Sequence, residues 1–219
     1  MVRIALFSVF LAALIASAQD PASPRAQAKD PSAVESKGMP PRGAPSEYQA
    51  QAQVGPVTIG AEFMGHSVPA PEATYASDDY VTVEIGFFGP GAPKITLDNF
   101  SLRINGSKKP TPCQPYEFVM KSLTDPEWEP PKAAEKSKTG INTGGSAPDN
   151  SAPAPVHMPF ELRRPMEQRV QRAALLEGER PLPQAGLIFF EYRGKRKNIR
   201  SLELIYSGPL GNAILALKP

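Results

Sequence analysis

Residues 186–217 read GLIFFEYRGKRKNIRSLELIYSGPLGNAILAL, and the fold turns on this stretch. Leu187, Ile188, Phe189 and Phe190 are consecutive apolar residues. Two aromatics, a β-branched residue and a following turn signal favour a strand buried on both faces over a helix core. Arg193 to Asn198 is the turn, with Gly194 free to take positive φ and charged neighbours that keep the tip in water. From Ile199 the chain alternates: Leu202, Leu204 and Tyr206 share one face, while Ser201, Glu203 and Ile205 share the other. That period of two marks a half-buried strand. Ser207-Gly208-Pro209-Leu210-Gly211 breaks it, and Ala213, Leu215 and Leu217 resume in phase. Such short connections predict an antiparallel meander.

Working outward, Tyr80–Phe88 (YVTVEIGFF) carries the same alternation through Val81, Val83, Ile85 and Phe87. Phe100, Leu102 and Ile104 alternate with Ser101 and Arg103, and the strand ends at Asn105-Gly106, a type I′ turn signal. Val54–Met64 reads as one strand, placed at an edge by Pro56. Gly65–Asp79 reads as a loop, and Ile95–Leu97 as a short strand. Tyr116, Val119, Met120 and Leu123 fit helical spacing, so that segment is open between a short helix and a strand. Pro159–Glu177 reads as a helix with Leu162, Met166, Val170, Ala173 and Ala174 on one face and Gly178 as its stop; Pro165 in the first turn would place its start near Arg164, giving a helix at about 165–177.

The remainder is poor in large aliphatics. Pro (26) and Gly (17) make up about a fifth of the 219 residues, against roughly 12% on average. The excess is clustered in 19–53 and in about 125–158. Both segments lack the apolar area to offset ordering entropy and read as disordered: the first a linker, the second an insertion within one domain spanning 54–217. Met1–Ala18 has the form of a secretory signal peptide, with Arg3, an apolar run over Ile4–Ile15 and a small-x-small site at Ala16-Ser17-Ala18. The expected location is therefore periplasmic or extracellular, with no stable membrane span after cleavage.

About seven short strands and one helix in a crossover give the count of an immunoglobulin-like antiparallel β-sandwich. The phrases YVTVEIGFF, ITLDNFSLRING, GLIFFEYRGK and IRSLELIYSG resemble those of bacterial exported immunoglobulin-like domains of the telokin-like type. The resemblance covers 54–123 and 186–217. It implies a binding or scaffolding module and brings no catalytic residues.

Candidate chemistry is sparse. Only His66 and His157 exist, and neither has partners at zinc-ligand spacing. There is no G-x-S-x-G, phosphate-binding loop or dinucleotide fingerprint. Acidic pairs such as Asp78-Asp79 and Glu127/Glu129 stand in loops. Cys113, the single cysteine, has no nearby base and reads as a small packing residue sooner than as a reactive thiol, with an intermolecular disulfide as the other reading. No cofactor or metal is expected.

Two surface features stand out. Arg193, Lys195, Arg196, Lys197 and Arg200 form a basic cluster. It reads either as a contact for an anionic envelope component or acidic protein, or as a solvated hairpin tip. Without interleaved aromatics, nucleic acid is not indicated. Trp128, in the acidic segment DPEWEPP, reads as docking on its own domain or on a partner. The sequons at Asn99 and Asn105 read as chance. The expectation is an exported, non-catalytic binding module; the alternative is an envelope hydrolase with an unrecognised site.

Overall fold

The computed structural model describes residues 38–128 and 158–219. The signal-peptide reading of 1–18, His157 and most of the 125–158 insertion lie outside the described residues. The chain runs through β1 (Ala50–Val54), β2 (Val57–Gly65), β3 (Ser67–Ala70), β4 (Ala73–Ser77), β5 (Tyr80–Phe88), β6 (Lys94–Ile95), β7 (Phe100–Ile104), β8 (Thr111–Gln114), α1 (Tyr116–Val119), β9 (Leu123–Thr124), α2 (Phe160–Ala173), β10 (Gly178–Glu179), β11 (Gln184–Glu191), β12 (Leu202–Gly208) and β13 (Gly211–Leu217). The fold is mainly β, and each ladder between these strands is antiparallel.

Eight strands form one sheet in the order β1-β2-β5-β11-β8-β7-β12-β13. Short β8 joins its two halves by pairing with β11 on one side and β7 on the other. The halves face each other in sandwich fashion around one core. Val81, Val83, Ile85 and Phe87 of β5 and Ile188 and Phe190 of β11 share that core with Phe100 and Leu102 of β7, Leu202, Leu204 and Tyr206 of β12, and Leu215 of β13. Phe100 bridges the halves: its ring lies 6.1 Å from Phe87 and 5.3 Å from Tyr206. Side chains of this size stabilise by about 1.5–3 kcal/mol each when fully buried.

The outer face of β11 explains the unbroken run at 187–190. Ile188 and Phe190 point inward, whereas Leu187 and Phe189 enter a second core beneath α2 with Met166, Val170, Ala173, Val68 and Tyr75. A strand covered on both faces has no polar positions to alternate with.

Several expectations are corrected. The 186–217 stretch is not a meander: β12 and β13 form a hairpin, but β8 and β7 stand between β11 and β12. Residues 192–201 are therefore a crossover from one half of the sheet to the other. Within it Ile199 is buried, and the backbone makes a 3₁₀ turn at Arg196–Asn198. Gly194 is not left-handed; a Cβ there would lie 2.9 Å from Cε1 of Tyr192. The strand read over 54–64 is a hairpin turned at Gly55-Pro56, and β2 is interior. Pro56 sits where no ladder bond needs its missing N–H. Residues 65–79 are not a loop but carry the β3–β4 hairpin, which joins β9 in a separate three-stranded sheet.

The helix takes the earlier of the two starts its sequence offers, beside Pro159 and not near Arg164. Pro159 stands at the N-cap, and its carbonyl accepts from the N–H groups of Leu162 and Arg163, each at 3.1 Å. Pro165 is thus interior and forfeits the bond to Glu161. Leu162 belongs to the apolar stripe in sequence yet is 52% exposed. The helix ends at Ala173 because Ala174 turns extended and bridges Leu187.

The largest correction concerns 38–53, read as part of a linker. Here the chain packs along the outer face of β2 and β5. Arg42 makes a bidentate pair with Glu84, at 2.9 and 2.7 Å, and a second ion pair with Glu62. Its guanidinium also lies over the Tyr48 ring, 4.6 Å from the centroid. That ring rests on Gly60 and Gly86, which face each other across β2 and β5. A Cβ on Gly60 would lie 2.6 Å from Cδ2 of Tyr48. Two polar anchors and two glycines hold a segment with no apolar pattern of its own.

Candidate anion-contact surface

The sheet register sorts the loops to two ends. One end carries the β7–β8 turn, the 192–201 crossover, the start of β12 and the end of β13, since Leu202 pairs with both Ile104 and Leu217. Lys108, Lys109, Lys197, Arg200 and Lys218 are all exposed there. Among the described residues none of the five has a carboxylate within ion-pair distance. The opposite end, with Lys94, Asp98, Glu177, Glu179 and Arg180, mixes signs.

Asn105 ties the two basic loops together. Its backbone is left-handed, φ 53°, and Gly106 follows at φ 66°, the two positive values of a type I′ turn. This turns the carboxamide toward the crossover. Oδ1 accepts from the N–H groups of Arg200 (2.7 Å) and Ser201 (3.3 Å), Nδ2 donates to the Asn198 carbonyl (2.9 Å), and the backbone N–H donates to the Ser201 carbonyl (2.9 Å). Asn105, Lys197, Asn198, Arg200 and Ser201 line a shallow open depression of about 610 Å³.

The five residues of the sequence cluster separate. Arg193 is turned toward Asp79 and Glu191, at 3.5 and 3.4 Å. Arg196 stacks over Phe63, 5.7 Å from its centroid, and its side chain packs against Gly65. Lys195 is exposed but does not line the depression. Lys197 and Arg200 do. Lys108 and Lys109, absent from the sequence cluster, do not line the depression either, but they stand in the turn that Asn105 opens, at the same end of the sheet. The Asn-Gly signal at 105–106 was the one trace of this in the sequence, but it gave the turn and not its partner.

His66 has both ring nitrogens on main-chain carbonyls, Ser77 and Gly194, each at 2.8 Å. It clasps the β2–β3 turn to the crossover. Among the described residues no group of three or more His, Cys, Asp or Glu is placed to hold a metal. Cys113 is buried in the core, and burial pushes its thiol up to about 12. Trp128 is half-buried at the end of a turn in which its N–H donates to the Asp125 carbonyl at 3.1 Å. The Asn105 carboxamide of the second sequon is fully engaged within the fold, so glycosylation there would break the clamp. No helix among the described residues is long and apolar enough to cross a membrane.

Comparison with known proteins adds no relative: no family model, no curated protein and no solved structure matches the chain.

Proposed function

We propose that this chain is an exported, non-catalytic β-sandwich module that binds an anionic component of the cell envelope through the basic end of its sheet. The observation that carries the reading is the pair of loops clamped by Asn105, which presents Lys108, Lys109, Lys197 and Arg200 without carboxylate partners among the described residues. Like charges held at one end cost self-repulsion, and a counter-charged partner relieves it. Export rests on the form of Met1–Ala18. The immunoglobulin-like relation is part of the same proposal and rests on the sequence phrases at 80–106 and 186–208. Of the hydrolase alternative, His66 gives no support, because its ring is committed to two carbonyls.

The test is co-sedimentation of the full chain with washed envelope fragments. The wild type sediments with them at low salt and is released as salt rises, because exposed charges are screened within about 10 Å at 0.1 M ionic strength. The quadruple variant Lys108→Glu/Lys109→Glu/Lys197→Glu/Arg200→Glu stays in solution. Equal sedimentation of both proteins contradicts the proposal.

A further inference from the structure

Resting on the proposed anion-contact reading, we infer that the ligand is a linear anionic polymer lying across the ends of β8, β7, β12 and β13, not a compact anion and not a bilayer surface. The cations stand at the ends of neighbouring strands, with Asn105 between them. Lys109 and Lys108 precede β8, Asn105 ends the β7 side of the turn, Arg200 and Lys197 precede β12, and Lys218 follows β13. These four strands are consecutive neighbours in the sheet. Three inter-strand steps of about 4.8 Å spread the charges over roughly 15 Å. A single oxyanion cannot touch all of them.

A compact anion also lacks a built site. The strongest polar group at the depression, the Asn105 carboxamide, has both its oxygen and its nitrogen bound to the crossover. The cations stand on exposed, long side chains at the ends of three different strands. Such an array gains by engaging several charges of one chain at once, so that each contact raises the effective concentration of the next.

Of the carboxylates at this end, two sit on the other half of the sheet. Asp79 and Glu191 flank β5 and β11 and are occupied by Arg193. On the β7–β12 pair, the acidic Glu203 is matched by Arg103 at 2.7 Å. Among the described residues, none of the five lysines and arginines along this edge is paired with a carboxylate. A bilayer contact of comparable reach is favoured by apolar side chains that enter the interface. The large exposed apolar residues, Phe118, Phe160, Leu162 and Ile214, lie on α1, α2 and the middle of β13, not among the loops of this end.

The test is titration calorimetry of the full chain with three probes at fixed ionic strength: long-chain linear polyphosphate, pyrophosphate, and vesicles rich in phosphatidylglycerol. The expected result is binding to the long chain, at least about tenfold tighter per phosphate than to pyrophosphate. Lys108→Glu/Lys109→Glu and Lys197→Glu/Arg200→Glu should each weaken long-chain binding about tenfold, since the two loops act together. The neutral pair Lys197→Gln/Arg200→Gln should give a smaller loss in the same direction, and circular dichroism checks that each variant is folded. Equal affinity per phosphate for pyrophosphate overturns the polymer inference but leaves an anion site. So does a loss confined to one loop. Binding to vesicles and not to polyphosphate overturns it in favour of a bilayer. Binding to none of the three removes the anion-contact reading itself.

Discussion

Arg42 pairs through two nitrogens with Glu84, whose carboxylate is placed at the middle of the strand that runs through the centre of the fold. The Glu84 side chain is 8% exposed and the Arg42 side chain 26%. Glu84 also faces Glu62 across the ladder, so two carboxylates share one guanidinium. Removing the cation leaves a buried charge beside a like charge. Arg42→Ala is expected to destabilise by about 3 kcal/mol, the lower end for breaking a buried pair, because Arg42 is partly solvated. Chemical denaturation measures this. Adding Glu84→Gln should recover part of the loss.

Tyr48 and Gly86 make a second, non-additive pair. The phenol ring occupies the space that a side chain on Gly86 or Gly60 would fill. Gly86→Ala should cost about 3 kcal/mol by expelling the ring. In a Tyr48→Ala background the same substitution should cost less, since only the Phe88 ring, 2.9 Å from the added Cβ, is left to shift. A double-mutant cycle reads the difference, and simple additivity would argue against the packing described.

Much of the fold was legible in the residues themselves. Alternation placed β5, β7, β12 and β13 and identified their inward faces, and the four-residue apolar run identified a doubly covered β11. The positions that misled share a cause: long-range partners replace local pattern. Residues 38–49 are polar and proline-rich, yet they are fixed by Glu62, Glu84 and two glycines on strands far along the chain. The order of β11, β8, β7 and β12 depends on pairings that no local period encodes. The basic cluster was visible as a run, but only the Asn105 clamp showed which of its members stand beside the β7–β8 turn.

Cys113 should resist thiol reagents in the native state. Burial holds its thiol near 12, so almost no thiolate exists at neutral pH. The rate of labelling by an aromatic disulfide should follow the population of unfolded chain across a denaturant series. Fast labelling without denaturant would show that β8 opens locally.

Alkaline pH should weaken the fold. Burial raises the titration of Cys113 and of the Tyr48, Tyr80, Tyr116 and Tyr206 phenols. Unfolded thiols and phenols release protons near about 8.5 and 10. Above those values the unfolded state binds fewer protons than the native one, so stability falls as pH rises, by up to about 1.4 kcal/mol per pH unit for the buried thiol and by less for the phenols, whose shifts solvent screens. The stabilisation is fully present below the unfolded values. Denaturation midpoints from pH 7 upward measure the decline, and a flat profile would contradict it.

Asn105→Gly separates the clamp from the charge. Glycine keeps the left-handed backbone while deleting the carboxamide bonds to Asn198, Arg200 and Ser201. Stability should fall by about 1 kcal/mol. Amide exchange at Arg200 and Ser201 should accelerate, and affinity for the anionic ligand should drop although the net charge is unchanged.

The most direct measurement is a titration of the isotope-labelled full chain with long-chain polyphosphate, followed by amide chemical shifts. The predicted perturbations fall on 104–111, 195–201 and 217–218, and they disappear in the quadruple charge-reversed protein. Perturbations confined to the face of α1 and α2, or none at a salt concentration where the wild type sediments with envelope fragments, would contradict the assignment of the basic end as the contact surface.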